Sequence, residues 1–404
     1  MNLNIINDDG IIKQYPIKKE HFFNHSLECK IGYIGTQSKE ENALNIFKAY
    51  FSNAKAILLD ETNQAILKQL KDLNIPEFAR PVNANTIFDE KDFTFMYFTS
   101  GSTGSPVAAL KTKENIESEV KVLTELLEKY QIKKVIVTVP FIHLYGTLFG
   151  LMYPLMKGID IALKEHFLPH DLLDLIDPYT MVVTTPLYIK ALNKLSEEKN
   201  LCKSIFISST AALDTESIVT FKGKFQSNII QIFGSTETGG IAYKLNEELL
   251  WKPFKHVKVF TNPQNELKIQ SPFVSQLLYE NGFKETNGEI QTFDYIEQEL
   301  LGFKLIGRSS KIFKFAGKRY STVQIENILE AVAGIEKALV FVRLATDSLR
   351  GEYLDITLES NEIYTVKEIK KILRRELSNL KFSIKLNFVD EIPTNQVGKK
   401  LWIK

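Results

Sequence analysis

The chain has 404 residues, 50 basic against 49 acidic for a net charge of +1, and 44% of them are hydrophobic. That length supports two or three domains with a large core, and the balanced charge gives no electrostatic reason to expect nucleic acid or an anionic membrane as partner. Cys29 and Cys202 are the two cysteines and stand far apart, which implies neither a disulfide framework nor a zinc site. No apolar run reaches membrane-spanning length, and Met1 to Asp9 lacks the basic-then-apolar pattern of a secretory signal, so the expected location is cytoplasmic.

In chain order, Ala56 to Leu59 reads as a buried strand and Asn63 to Leu73 as an amphipathic helix. An apolar-aromatic run, Phe93 to Phe98, then leads into Thr99-Ser100-Gly101-Ser102-Thr103-Gly104-Ser105-Pro106. From Thr99 to Ser105 every residue is a glycine or carries a hydroxyl, which predicts a strand running into a tight, exposed loop. Glycine allows close backbone approach to a ligand, and successive N–H groups in such a loop form an anion-binding concavity. An ordinary polar turn has the same composition. No Gly-Lys-Ser/Thr ending follows, so this is not a Walker loop, and a phosphoryl-transfer kinase is disfavoured.

Thr112 opens a helix with Asn115, Ile116, Val120, Leu123, Leu126 and Leu127 at helical spacing. Lys133 to Val139 reads as a strand ending in Pro140-Phe141-Ile142-His143-Leu144-Tyr145-Gly146. Continuous apolar strands recur at Met181 to Val183, Ser204 to Ile207 and Asn228 to Phe233. Each runs into small or hydroxyl residues: Thr184-Thr185-Pro186, Ser208-Ser209-Thr210-Ala211-Ala212 and Gly234-Ser235-Thr236-Glu237-Thr238-Gly239-Gly240. Such strands, separated by helical patterns, argue for a sheet covered on both faces, with ligands at the carboxyl ends of its strands.

Lys268 to Asp294 alternates as antiparallel strands with turns at Asn281-Gly282 and Asn287-Gly288, and Gly302 to Gly307 closes the set. Arg308-Ser309-Ser310-Lys311 interrupts the pattern and is the expected boundary, dividing the chain into domains 1–308 and 309–404. The fold class is α/β: a large N-terminal domain of mixed and parallel sheets layered with helices, then a small α+β domain. The latter shows helices at Thr322 to Ala333 and Thr365 to Leu377, with strands at Ala338 to Val342, Tyr353 to Leu358 and Ile384 to Val389.

Four of these segments occur together and in order: Thr99 to Pro106, Phe233 to Glu237, Gly302 to Arg308, and Pro393-Thr394 through Gly398-Lys399. The set resembles the adenylate-forming superfamily of acyl- and aryl-CoA synthetases, luciferases and peptide-synthetase adenylation domains, from about residue 93 to the C-terminus. The resemblance implies that a carboxylate attacks the α-phosphate of ATP-Mg²⁺, releasing pyrophosphate and forming an acyl-adenylate. A thiol, of CoA or of a carrier-protein phosphopantetheine, then displaces AMP. Both first-step substrates are anions, so positive charge and hydrogen-bond donors must gather where they meet.

By the resemblance, Thr99, Ser100, Gly101, Ser102, Thr103 and Gly104 cradle the β- and γ-phosphates. Thr236 donates to the α-phosphate and Glu237 holds Mg²⁺, which takes one or two carboxylates alongside substrate phosphates. Ser209, Thr210 and Ala211, with Phe233 and Gly234, resemble the adenine slot, and Ser235 is a further cofactor-binding residue. Asp294 takes the ribose hydroxyls, and Arg308 contacts ribose or phosphate. Lys399 is the mobile catalytic residue, and Gly317 lines the thiol tunnel after the small domain rotates about a hinge at Ser310. His143, Gly146 and Gly239 fall beside the acyl site, and Tyr145 and Tyr188 are further candidates to line it. No aspartate lies in Pro140 to Gly146 to pair with an α-ammonium, which points to a small-molecule carboxylic acid without an α-amine.

The chain departs from the pattern at Val107, where the family often has a phosphate-contacting lysine that Lys111 is a candidate to replace, and at Val397 and Phe293. The part before the Gly-rich loop is also shorter than is common. Transfer to an amine or hydroxyl, and a degenerate nucleotide-binding regulator, remain the alternatives. An acyl carrier protein remains open as partner beside free CoA, and the near-neutral net charge gives a carrier no overall preference.

Overall fold

The computed structural model describes residues 1–35, 38–61, 63–78, 86–100, 106–263, 265–308, 312–315, 318–344, 352–377, 383–394 and 400. Gly101 to Gly104, Ser310, Gly317 and Lys399 therefore lie outside the described residues. The chain forms two compact units, one of Met1–Phe260 with Lys268–Ile290, the other of Thr261–Leu267 with Gln291–Lys404. The mixed α/β class expected from the sequence is the one observed.

The first unit is built on two sheets. In the larger, strands Asn228–Ser235, Ile205–Ser208, Thr180–Thr184, Lys134–Val137, Asp160–Leu163 and Asn2–Ile6 lie side by side and parallel. Antiparallel strands at each side bring the sheet to nine. The central strands are apolar throughout because both faces are covered. Ile136, Val182 and Phe206 pack against Leu172, Leu192, Phe221 and Phe225 of the helices Pro169–Leu175, Pro186–Asn193 and Thr215–Phe225. On the alternate face Val137 meets Gly150, in the helical segment that begins at Leu144.

The smaller sheet has six strands. Its parallel members Ile31–Ile34, Lys55–Leu58 and Phe95–Ser100 continue into antiparallel Pro106–Lys111, Leu277–Tyr279 and Phe283–Glu285. Ser100 and Pro106 face each other in the ladder, so the Gly-rich stretch joins two neighbouring strand ends. Helix Lys113–Leu127 starts immediately after, with the expected Thr112 at its N-cap in a reciprocal capping box with Asn115.

In the second unit, strands Ile335–Leu344, Glu352–Ser360 and Ser383–Val389 form a three-stranded sheet. Ile325 and Leu329 of helix Thr322–Glu330, and Ile369 and Leu373 of helix Val366–Glu376, cover one face of it with Ala338, Val340, Leu354, Ile356 and Leu358. A hairpin of Glu289–Glu299 with Gly302–Arg308 precedes it in the chain.

Gly146 exists for packing. A Cβ there would lie 2.1 Å from the carbonyl oxygen of Pro140, in the loop that follows strand Lys134–Val137. Gly223, inside helix Thr215–Phe225, has open space instead. Gly146→Ala is expected to destabilise the first unit by about 1–3 kcal/mol through overpacking, whereas Gly223→Ala is expected to stabilise it by up to about 1 kcal/mol through helix propensity. Urea denaturation of both variants checks the opposite signs.

Candidate functional site

The polar ends of neighbouring parallel strands supply the site's framework. Ile205–Ser208 and Asn228–Ser235 pair with Ser208 opposite Gln231, so the loops leaving them start side by side. Ser209 Oγ donates to the Ile232 carbonyl at 3.0 Å, tying one loop to the other strand. Thr210 and Ala211 beyond it are exposed. Thr210 has φ +80°, a left-handed conformation that costs a β-branched residue roughly 1–3 kcal/mol. Strain of this kind persists where the surroundings over-determine the backbone, and it concentrates at binding sites.

The second loop is braced by its own hydroxyls. Ser235 N–H donates to Thr238 Oγ1 at 3.0 Å, and Thr238 N–H returns the bond to Ser235 Oγ at 3.2 Å. Gly234 fits because a Cβ would lie 2.3 Å from the Gly239 carbonyl oxygen across the turn. Thr236 and Glu237 are thereby held, half-exposed, at the apex of a fixed loop. The Phe233 ring lies 5.5 Å from the Trp251 ring, tilted by 47°.

Beneath this loop lies a polar cluster that reading the sequence did not find. Lys111 is 1% exposed and donates to the Phe273 carbonyl at 2.6 Å and the Glu237 carbonyl at 3.2 Å. Ser275 N–H donates to the same Glu237 carbonyl at 2.9 Å. Glu119 Oε1 accepts the Gly240 N–H at 2.7 Å, and Asn115 donates to the carbonyls of Pro272 and Val274. Burial pushes the Lys111 ammonium down and the Glu119 carboxyl up from their ordinary values, and the charge of each opposes the shift of the other. The expectation that Lys111 replaces the missing phosphate-contacting lysine is corrected: its ammonium is enclosed and bonded to backbone carbonyls. Asn115 and Glu119 recur at four-residue spacing on the helix beside the apolar stripe of Ile116, Val120 and Leu123, and that spacing was the available signal for them; Lys111 ends the preceding strand and carried none.

The acyl-side candidates separate by role. His143 is half-buried, and burial lowers its imidazole pKa against the opposing charge of Asp60. Gly146 packs on Pro140 as described. The φ of Gly239 is +70°, and a Cβ there would lie 2.6 Å from Glu119 Oε2, so this glycine faces the buried cluster. Tyr145 Oη lies 2.8 Å from the Ile207 carbonyl and 3.0 Å from that of Thr184, capping two strand ends. Tyr188 donates to the Phe167 carbonyl at 2.8 Å.

Asp294 and Arg308, in the second unit, stand directly opposite each other in the ladder of Glu289–Glu299 with Gly302–Arg308. Asp294 is buried, while Phe293 points out and is 52% exposed. Near the C-terminus, Thr394 and Lys400 form an antiparallel bridge, so the chain on either side of Lys399's segment is anchored. Lys400 donates to the Ala338 carbonyl at 2.8 Å and pairs with Glu326 and Glu330. Of the adjacent lysines, Lys400 is thus committed to structure.

Among the described residues no group of three or more His, Cys, Asp or Glu side chains is placed to hold a metal. A single half-exposed carboxylate on a pinned loop, as at Glu237, fits an ion that draws its other ligands from phosphates and water, which is how Mg²⁺ is commonly bound. No helix among the described residues is long and apolar enough to cross a membrane.

The profile of the family described as AMP-binding enzyme matches residues 26–276. A Staphylococcus epidermidis protein named as a long chain fatty acid–CoA ligase is 25% identical over 315 residues, spanning 75% of this chain and 68% of the relative. The mitochondrial malonate–CoA ligase of Bos taurus is 24% identical over 370 residues, spanning 75% of this chain and 62% of the relative. Among solved structures, o-succinylbenzoate CoA synthetase from Bacillus subtilis, in complex with its acyl-adenylate intermediate, superposes with a TM-score of 0.82 at 17% identity. That match covers 98% of this chain and 93% of the other.

Two outcomes follow from the local geometry. Thr210→Gly is expected to raise stability by roughly 0.5–1 kcal/mol by releasing the left-handed strain, while weakening AMP binding in calorimetric titration. His143, with its folded pKa below the ordinary 6.5, contributes stability that is complete above that value and lost as pH falls below it. Stability measured from pH 7.5 down to 5.5 is therefore expected to fall more steeply for wild type than for His143→Gln.

Proposed function

The chain belongs to the AMP-binding enzyme family, and from that premise we propose the following division of labour among its residues. The protein activates a carboxylic acid with ATP and forms its CoA thioester. A carboxylate oxygen bonds to the α-phosphorus as the bond to pyrophosphate breaks, giving the acyl-adenylate. The thiol sulfur then bonds to the acyl carbon, AMP leaves with the attacking oxygen, and the thiol proton passes to solvent. The braced Ser235–Thr238 turn beside strained Thr210 is the observation that carries this reading.

Thr236 donates to the α-phosphate, and Glu237 would hold Mg²⁺, which would supply positive charge against the phosphates. Gly101 to Gly104, with Thr99 and Ser100, take the β- and γ-phosphates through backbone N–H groups and hydroxyls. Half-buried Ser209 and exposed Thr210 and Ala211, with Phe233, take the base. Asp294 and Arg308 take the ribose, Lys399 neutralises charge developing in the transition state, and Gly317 admits the thiol arm. The exposed thiols of Cys29 and Cys202 suit a reducing cytoplasm, the compartment assigned here.

A second reading concerns the acceptor, and one observation favours it. Helix Val366–Glu376 turns Ile369 and Leu373 inward and exposes Lys367, Lys371, Arg374 and Arg375, which together line one shallow cleft. Arg374 and Arg375 also complement the helix dipole in the last turn. A cationic stripe of this kind complements an acidic carrier protein bearing phosphopantetheine.

Pyrophosphate release from ATP-Mg²⁺ over aryl, short-chain and medium-chain acids tests the reaction. Acid-dependent release is expected, falling roughly 10²- to 10³-fold in Lys399→Ala; equal release by the two proteins would refute the assignment of Lys399. With the acid known, Lys367→Glu/Lys371→Glu is expected to raise KM for an acidic carrier at least tenfold at low salt and to leave KM for CoA within twofold. Equal effects on both acceptors would reject the carrier.

A further inference from the structure

The site reading leaves a buried lysine and a buried glutamate without a part in the reaction. Lys111 ends the strand that begins at Pro106, where the Gly-rich stretch ends. Its ammonium reaches the carbonyls of Glu237 and Phe273, two segments more than 120 residues further along the chain. Glu119 lies in the helix that follows, bonded to the Gly240 N–H, with its carboxylate filling the space beside the α-carbons of both Gly239 and Gly240. The loop that presents Thr236 and Glu237 is thus held just after Glu237 by a cation on its carbonyl and, three residues on, by an anion on an N–H.

We propose that Lys111 and Glu119 are positioning residues for Glu237: together they fix the peptide that follows it and the peptide that ends at Gly240, and so aim its carboxylate. This rests on the proposed role of Glu237 toward Mg²⁺. Three donors and acceptors make the clamp directional. The Glu237 carbonyl receives both the Lys111 ammonium and the Ser275 N–H, which sets the plane of the peptide following Glu237. The Gly240 N–H on Glu119 sets the plane three residues on, and the Ser235–Thr238 hydroxyl brace closes the near side. Apolar side chains filling the same volume would support the loop's weight but supply no direction to either peptide. Because Lys111 and Glu119 flank the end of the Gly-rich strand and the start of its helix, the same clamp couples the phosphate loop's strand to the Glu237 loop.

Single substitutions leave one charge buried without its counter-charge and risk misfolding. The test is therefore the double variant Lys111→Met/Glu119→Gln, which removes both charges while leaving an amide oxygen for the Gly240 N–H. Hydrogen–deuterium exchange is followed at the Gly240 and Ser275 amides, and AMP binding is titrated without metal. Pyrophosphate release is measured against Mg²⁺ concentration. The proposal expects exchange at those amides at least tenfold faster than in wild type and AMP affinity within twofold. It also expects kcat at least tenfold lower, with Mg²⁺ half-saturation at a severalfold higher concentration. A double variant that melts at lower temperature but keeps kcat and Mg²⁺ half-saturation within twofold would overturn it, since the pair would then only fill the core. Unchanged amide exchange would overturn it as well. If wild type releases no pyrophosphate with any acid, the reaction assigned above fails, and the exchange and AMP data still decide whether the pair holds the loop.

Discussion

A sheet covered on both faces can meet a solute only where its strands end. In the first unit, Val135 to Val137, Met181 to Val183, Ile205 to Ile207 and Ile229 to Ile230 are almost wholly buried, so the parallel strands offer no open face. Their carboxyl ends are then the one place where backbone N–H groups and hydroxyls can be aimed at a ligand. The chain spends Ser, Thr and Gly there, at 208–212 and at 234–240, and it accepts strain at Thr210.

Loops of small residues are pliable in themselves, and the second constraint is what stiffens this one. Neutral hydroxyl bonds between Ser235 and Thr238 close the turn, while charged side chains from beneath hold its flanks. A buried pair of opposite charges contributes little net stability, because desolvation offsets most of the attraction. Its value lies in direction: hydrogen bonds to charged groups are shorter and stronger than neutral ones, and each fixes the peptide it contacts. The same trade is visible in the second unit, where Lys400 gives its ammonium to Ala338, Glu326 and Glu330 beside the segment that holds Lys399.

Local chemistry made much of this legible in the sequence. Continuous apolar runs marked the buried strands, Thr112 marked a helix start, and Asn281 and Asn287 marked turns where both residues adopt positive φ. Long-range pairing left no such trace. Strand Asn2–Ile6 lies beside Asp160–Leu163, and Leu277–Tyr279 beside Pro106–Lys111, because distant edges needed partners rather than because of any local pattern. Glycines were ambiguous for a related reason: Gly146 reads equally as ligand approach or as close packing, and only the Pro140 carbonyl beside it decides. Lys111 was misread because a basic residue near an anion-binding loop suggests a phosphate contact, whereas its backbone carbonyl partners come from segments far along the chain.

The central claim is that the carboxylic acid becomes bonded to the α-phosphorus of ATP through one of its own oxygens. The most direct measurement supplies a substrate acid, as the free carboxylate carrying ¹⁸O in both oxygens, lets the reaction run to the thioester, and determines the label in AMP by mass spectrometry. The account predicts one ¹⁸O in each AMP formed and one retained in the thioester carbonyl. AMP free of label, or label appearing in inorganic phosphate with ADP as the nucleotide product, would contradict it.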